Sequence, residues 1–299
     1  MEQSQEKPGC VSVIRRIIDS DWLRIVLIWI VTMLLRYGLA GILLCVVTGE
    51  TFAQTNGNTL GPLIPGEVLR YKVKWLLVRL GTVTIHQIPA DSGRMLVKMS
   101  VQSAKGLPFI DVHFDNQTYV SERSQSLDEE TILSGSDPSE KTVYWFDRRT
   151  EHIMMVDSLK DKQTRRDSLN WASECYDALG LLMYSRRFAA SGTSTSLPTV
   201  NDYKIDQTDV SFTKGTEEIE VDAFDAPRRC HLVSGRALWV GKSFAGMKGP
   251  FQGWFTDDAA AIPLRAKVGI FLGSIVLELE SYERPALTPA IHLVDTSSK

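Results

Sequence analysis

The stretch 67–75, "EVLRYKVKW", alternates strictly, with Leu69, Tyr71, Val73 and Trp75 on one face and Arg70, Lys72 and Lys74 on the other. Period-two alternation over that length marks a strand with one buried and one wet face. A helix would scatter those apolar positions around its circumference. The same cadence recurs along the chain. "LGTVTIHQI" continues it after a kink at Gly81, "PADSG" supplies a turn, and "RMLVKMSVQSA" sets Met95, Val97, Met99 and Val101 inward. "FIDVHFDNQTYVSER", "KTVYWFDRRTEHIMMV", "EEIEVDAF", "RRCHLV", "PLRAKVGIFLGSIVLELESY" and "YKIDQTDVSF" read as further strands between turn signals. This pattern predicts an all-β body, residues 60–284, whose antiparallel strands curve into a roll or open barrel.

One segment breaks the cadence. "SECYDALGLLMYSRRFAA" spaces Cys175 or Tyr176, Leu179, Leu182, Met183 and Arg186 by threes and fours, which predicts a single packed helix near 174–189 that stops before Gly192. Arg186 and Arg187 fall near its C-terminal end, where cations suit the helix dipole. The polar run "SGTSTSLPTVND" that follows reads as a loop dividing two β halves, and residues 285–299 read as a flexible tail.

The N-terminus sets the compartment. Residues 22–47 are apolar apart from Arg24 and Arg36. An arginine at the centre of a spanning helix costs about 2.5–3.5 kcal/mol. Starting instead at Met33, Arg36 becomes a short basic head, Tyr37 to Val47 an apolar stretch, and Thr51 and Ala53 suit cleavage before Gln54. Residues 33–53 are therefore expected to be a secretory signal peptide, or an uncleaved membrane anchor, and residues 1–32 a cytoplasmic extension or an over-called start. Either way the body works outside the cytoplasm, in the periplasm or cell envelope. A net charge of -3 gives no basic field, so nucleic acid is not an expected partner. Four cysteines, with no C-x-x-C, are too few and too scattered for a disulfide scaffold or a zinc knuckle, and Cys175 and Cys230 are expected to be separate buried thiols.

Signals for chemistry are sparse. Asp257 and Asp258 sit side by side in "FTDDAAAIP". Neighbouring residues of a strand point to opposite faces, so the pair does not converge on one substrate, and Asp readily supports a turn. The turn is the expected reading. "DVHFD" places Asp111, His113 and Asp115 on one strand face with oxygen and nitrogen donors, but a metal needs three or four convergent ligands, and none is expected here. No nucleophile elbow, phosphate loop, dinucleotide fingerprint or H-E-x-x-H helix occurs, and no cofactor is expected. The weak catalytic candidates are Asp258, His113 and Asp111. Trp75, Met99, Trp145 and Trp239 are candidates to line an apolar concavity for a lipophile, against the alternative of plain core packing.

Three blocks occur together in order. "GEVLRYKVKWLLVRLGTVTI" (66–85) carries Gly-Glu-x-Leu-x-Tyr, "YDALGLLMYSRRFAASG" (176–192) carries Asp-x-Leu and Tyr-x-x-Arg, and "WFTDDAAAIPLRAKVGIFLGSIVLEL" (254–279) carries Asp-Asp and Ile-Pro. As a set they resemble the bacterial domain-of-unknown-function family numbered 3108, over roughly residues 64–284. The resemblance implies an exported envelope protein, commonly with a signal peptide, and carries over no catalytic residue. Gly180 departs from it, since a small hydroxyl residue is expected after Leu179, and a glycine there is expected to loosen the helix. The leading expectation is a non-enzymatic envelope protein that binds a lipophilic molecule or supports envelope assembly. The alternatives are a hydrolase or metal-dependent enzyme using Asp258, Asp111 and His113, and a structural module that binds another envelope protein along a sheet edge.

Overall fold

The computed structural model describes residues 63–106, 113–122, 126–133, 140–147, 149–158, 164–170, 174–201, 204–237, 249–270 and 273–285. The expected signal peptide or anchor (33–53), the extension before it (1–32), and residues 286–299 of the expected tail lie outside them.

Fourteen strands form one antiparallel sheet. In chain order they are β1 (Val68–Trp75), β2 (Val78–Pro89), β3 (Met95–Ser103), β4 (His113–Val120), β5 (Ser126–Leu133), β6 (Glu140–Asp147) and β7 (His152–Ser158). After β8 (Thr164–Asn170) comes the helix α1 (Ala178–Phe188), then β9 (Ser194–Asn201), β10 (Lys204–Ile219), β11 (Arg228–Ala237), β12 (Gly249–Thr256), β13 (Pro263–Gly269) and β14 (Ser274–Glu283). Each strand pairs with its sequence neighbour, except that β1 pairs with β14 and so joins the two meanders, leaving β8 and β9 at the ends of the ladder. The all-β class and, among the described residues, one packed helix follow the sequence pattern.

Curvature comes from irregular registers. In β1 the pairing with β14 slips between Arg70 and Tyr71, and the pairing with β2 slips between Val73 and Lys74, beside the expected kink at Gly81. A Cβ on Gly81 would meet Gln102 O at 2.2 Å, so only glycine lets β2 approach β3 there. A wider irregularity leaves 213–215 unpaired within β10, between Phe212 opposite Val233 and Thr216 opposite His231. Such bulges bend and twist a sheet. They also explain why β10 reads in the sequence as two separate strands, "YKIDQTDVSF" and "EEIEVDAF".

The two halves close around α1. Leu179 and Met183, one turn apart, pack with Leu69, Val83, Ile85, Val97, Met99 and Phe114. Ala178 and Leu181 pack on the other side with Leu197, Val210, Phe212, Val233 and Phe255. At the ladder's ends, Tyr144, Phe146, Ile153 and Met155 of β6 and β7 meet Val200 of β9 through Cys175. The sheet therefore closes by apolar packing, although its end strands are not hydrogen-bonded to each other. The expected loop 191–202 is corrected: Ser194–Asn201 form β9, and Tyr176 adds a parallel bridge to Thr199. Cys175 and Cys230 are buried in different clusters. Among the described residues no helix is long and apolar enough to cross a membrane.

Candidate functional site

The helix begins at Asp177, whose extended backbone and side chain cap it: Oδ1 accepts from Gly180 N–H at 2.6 Å. Its other oxygen accepts from the Thr118 hydroxyl at 2.6 Å, and its own N–H donates to Ser126 Oγ at 2.8 Å. Asp177 is fully buried, and burial pushes its carboxyl above the usual range against the lowering effect of these hydrogen bonds. Gly180 fits tightly. A Cβ there would stand 2.2 Å from Ser126 Oγ. The expected loosening is thereby corrected: glycine at this position lets the first turn seat against β5, and the helix stands intact.

Two turns further on, Arg186 is buried against the sheet. Its Nη1 donates to Glu67 Oε2 at 2.6 Å and its Nη2 to Glu67 Oε1 at 2.9 Å, with both side chains fully out of solvent. Two more guanidinium hydrogens serve backbone carbonyls, Nε to Ala261 O at 3.2 Å and Nη2 to Ala260 O at 2.8 Å. Gln87 Nε2 donates to Glu67 Oε2, and Gln87 Oε1 accepts from Ile64 N–H at 3.0 Å. Tyr71 Oη donates to Pro263 O at 2.8 Å, and burial raises its pKa well above the ordinary tyrosine value. The reading of Arg186 as a dipole partner at the helix end is corrected. Arg187 points elsewhere and donates to Glu122 O at 2.6 Å.

Asp258 builds the other half of this lock. Its Oδ1 accepts from Thr256 Oγ1 at 2.9 Å, Ala260 N–H at 2.9 Å and Ala261 N–H at 3.0 Å. That fixes the turn that aims the Ala260 and Ala261 carbonyls at Arg186, with Ala261 held at a left-handed φ of 42°. Asp257 faces away, to His231 Nε2 at 2.8 Å and Arg229 at 3.4 Å, while His231 Nδ1 lies 3.2 Å from Thr213 O. The two neighbouring carboxylates diverge, as expected of a turn.

The sequence candidates do not assemble. His113 and Asp115 touch at 3.2 Å on the exposed face of β4, where Asp115 also accepts from Ser100. Asp258 follows β12, six strands away in the ladder. Asp111 lies outside the described residues. Among the described residues no group of three His, Cys, Asp or Glu side chains is placed to hold a metal. Of the four aromatic and methionine candidates, Met99 is in the core beneath α1. Trp145 is exposed on the outward face of β6, Trp75 is half-buried at the end of β1, and Trp239 lies outside the described residues. The concave side they were expected to line is filled by α1. On the outer face of β10–β14 a groove of about 470 Å³ is lined by Asp209, Ser211, Ser234, Arg236, Gln252 and Lys267 among others, with no histidine or cysteine.

Glu67, Gln87, Asp177 and Arg186 are not among the candidates, although all but Gln87 lie in the three blocks. Glu67 and Tyr71 belong to the first block, Asp177 and Arg186 to the second, and Asp258, Ala260, Ala261 and Pro263 to the third. The three blocks supply three walls of one buried network. No curated protein matches the chain. Among solved structures, a β-barrel-like protein of the domain of unknown function DUF1849 from Brucella abortus is similar at 8% identity and a TM-score of 0.49, covering 75% of this chain and 99% of that one. A protein described as a lipoprotein from Parabacteroides distasonis is similar at 10% identity and a TM-score of 0.28, covering 77% and 100%. With both scores under 0.5, neither likeness bears on what this chain does. The family profile described as "Protein of unknown function (DUF3108)" matches residues 70–280, and the chain belongs to that family.

Proposed function

We propose that this chain is an exported, non-catalytic protein of the cell envelope that supports envelope assembly and meets lipophilic partners at its surface, not in an internal pocket. One observation carries the reading. Glu67, Arg186, Ala260 and Ala261, drawn from three distant segments of the chain, are engaged with each other in the closed Glu67–Arg186 lock, where the guanidinium hydrogen bonds go to the protein's own oxygens. Such a network fixes a shape. It commits Glu67, Arg186 and Asp258 to holding the fold instead of turning them toward a substrate. The apolar run at 22–47 supports export, and the helix-filled interior favours a surface over a carrier cavity.

The test is fractionation of cells producing the full chain, with N-terminal sequencing of the recovered protein. Recovery from the periplasmic or membrane fraction, with Gln54 first if the segment is cleaved, supports export; a cytosolic body overturns it. In the same cells, Asp258→Asn and His113→Ala proteins are tested for rescue of any envelope defect caused by loss of the chain. A loss of rescue by a variant that remains folded would return the enzyme reading.

A further inference from the structure

The hairpin joining β1 to β2 is built against the usual rules. Trp75 pairs with Val78, so Leu76 and Leu77 alone form the turn. Leu76 sits at φ 52°, a left-handed conformation that two-residue hairpin turns normally assign to glycine or asparagine. Leu77 is 100% exposed, Leu76 64% and Val78 48%. A turn that is both strained and apolar incurs two costs at one place, and strain held at an exposed tip points to use. Gly273, just before β14, lies beside it: a Cβ there would be 3.5 Å from Leu76 Cδ2.

Behind the tip stands a ring of charges. Lys74 pairs with Glu278, Lys72 with Glu278 and Asp222, and Arg79 with both oxygens of Glu280 at 2.7 and 2.8 Å. Cations and anions are interleaved and paired, so this collar carries little net field. It matches a surface that is itself of mixed sign. Trp75, half-buried between collar and tip, has the amphipathic ring that favours a membrane–water boundary.

We propose that the Trp75–Val78 hairpin tip inserts into the headgroup and upper acyl layer of a lipid bilayer, with Leu76 and Leu77 as the inserted pair and Lys72, Lys74, Arg79, Glu278 and Glu280 as the collar at headgroup level. This deepens the envelope reading above and rests on it. A protruding tip suits a soft apolar phase, which needs no matching groove. The sequence supplies a reason for a bilayer to be near: the apolar run at 22–47 precedes the body by about twenty residues, and whether it stays as an anchor or directs export, it brings the body to a membrane. Four side chains give a weak, reversible contact, and a tether raises its occupancy through effective concentration. Because the collar is paired, insertion depends little on salt or on the anionic lipid fraction.

The experiment uses the full chain with Cys10 and Cys45 replaced by alanine, carrying Leu77→Cys labelled with a nitrobenzoxadiazole probe. A Ser168→Cys chain labelled on exposed β8 is the control. Both are reconstituted with phosphatidylcholine vesicles, with and without phosphatidylglycerol, some containing spin-labelled quencher lipid. Insertion predicts a blue-shifted, at least twofold brighter emission at 77 that quencher lipid reduces, unchanged between 50 and 500 mM salt, and no change at 168. A water-like spectrum at 77 in vesicles overturns the proposal while leaving export standing, since fractionation reads export separately. A shift at 77 that appears without vesicles and grows with protein concentration also overturns it, in favour of a second copy of the chain. A shift that needs anionic lipid and vanishes in salt overturns the apolar mechanism.

Discussion

Arg186 Nη1 and Nη2 grip the two oxygens of Glu67 at 2.6 and 2.9 Å with neither side chain exposed, across 119 residues of sequence. Bidentate geometry and the added carbonyl contacts offset the cost of taking both charges out of water. Removing one partner strands the other. Arg186→Met is expected to cost about 3–5 kcal/mol of unfolding free energy. Adding Glu67→Met should recover more than half of that loss, because no lone charge is then buried. Urea titrations of the two variants and the parent check this. A double variant less stable than Arg186→Met would show that the charge pair is not the source of the loss.

Asp177 gives the protein a pH signature. Burial raises its folded-state pKa above the ordinary value. Between those two values the native state holds a proton that the unfolded chain has released, so this group's contribution to stability falls as pH rises from about 4 upward. Asparagine at 177 keeps a cap and does not titrate. The stability advantage of the parent over Asp177→Asn should therefore be largest near pH 4 and shrink toward pH 7. Denaturation at pH 4, 5.5 and 7 measures it. An advantage that grows with pH would mean the carboxylate form is the one the site favours.

What was legible in the sequence depended on one-sided burial. β1 and β3 alternate because one face meets α1 and the other water, and both were read correctly from that pattern. β8, "TRRDSLN", is exposed at nearly every position, so no alternation marked it. β9 reads as a loop because Ser, Thr and Pro dominate it, although its edge position tolerates Pro198. The lock was invisible for a different reason. Local spacing places Arg186 at a helix end, and nothing local says that a glutamate on β1 waits there. The first and second blocks contain Glu67 and Arg186, but their order in the sequence says nothing of contact between them.

Gly180 is required by close approach. A Cβ would lie 2.2 Å from Ser126 Oγ and 3.2 Å from Asp177 Oδ1. Gly180→Ser should destabilise the protein by about 1–3 kcal/mol, the usual range for overpacking, despite serine's better helix propensity. Combining it with Ser126→Gly should return part of the loss in thermal melts. If Gly180→Ser were as stable as the parent, the seating of α1 on β5 would have to be looser than these distances allow.

Cys230 should be inert while the protein is folded. Burial, with Asp258 and Glu217 adding repulsion, pushes its thiol up to about 12. An ordinary exposed thiol titrates near 8.5, so at pH 8 the thiolate fraction falls by about 10³. Ellman's reagent at pH 8 should leave Cys230 unmodified in the native protein and modify it promptly in 6 M guanidinium, with peptide mapping to assign the site. Prompt native modification would mean that β11 opens readily at this position.

Leu76 sets stability against the proposed contact. Its left-handed φ of 52° costs a leucine about 1–2 kcal/mol, whereas asparagine tolerates that region. Leu76 is mostly exposed, so little burial is lost on replacement. Leu76→Asn should therefore raise the unfolding free energy by about 1 kcal/mol. In chains labelled at position 77, the same substitution should at least halve the vesicle-induced rise in emission, because the inserted apolar side chain beside the label is gone. Opposite changes in the two measurements would mark the turn as kept for contact at the expense of folding. A more stable variant with an undiminished vesicle signal would assign insertion to Trp75, Val78 and position 77 without Leu76.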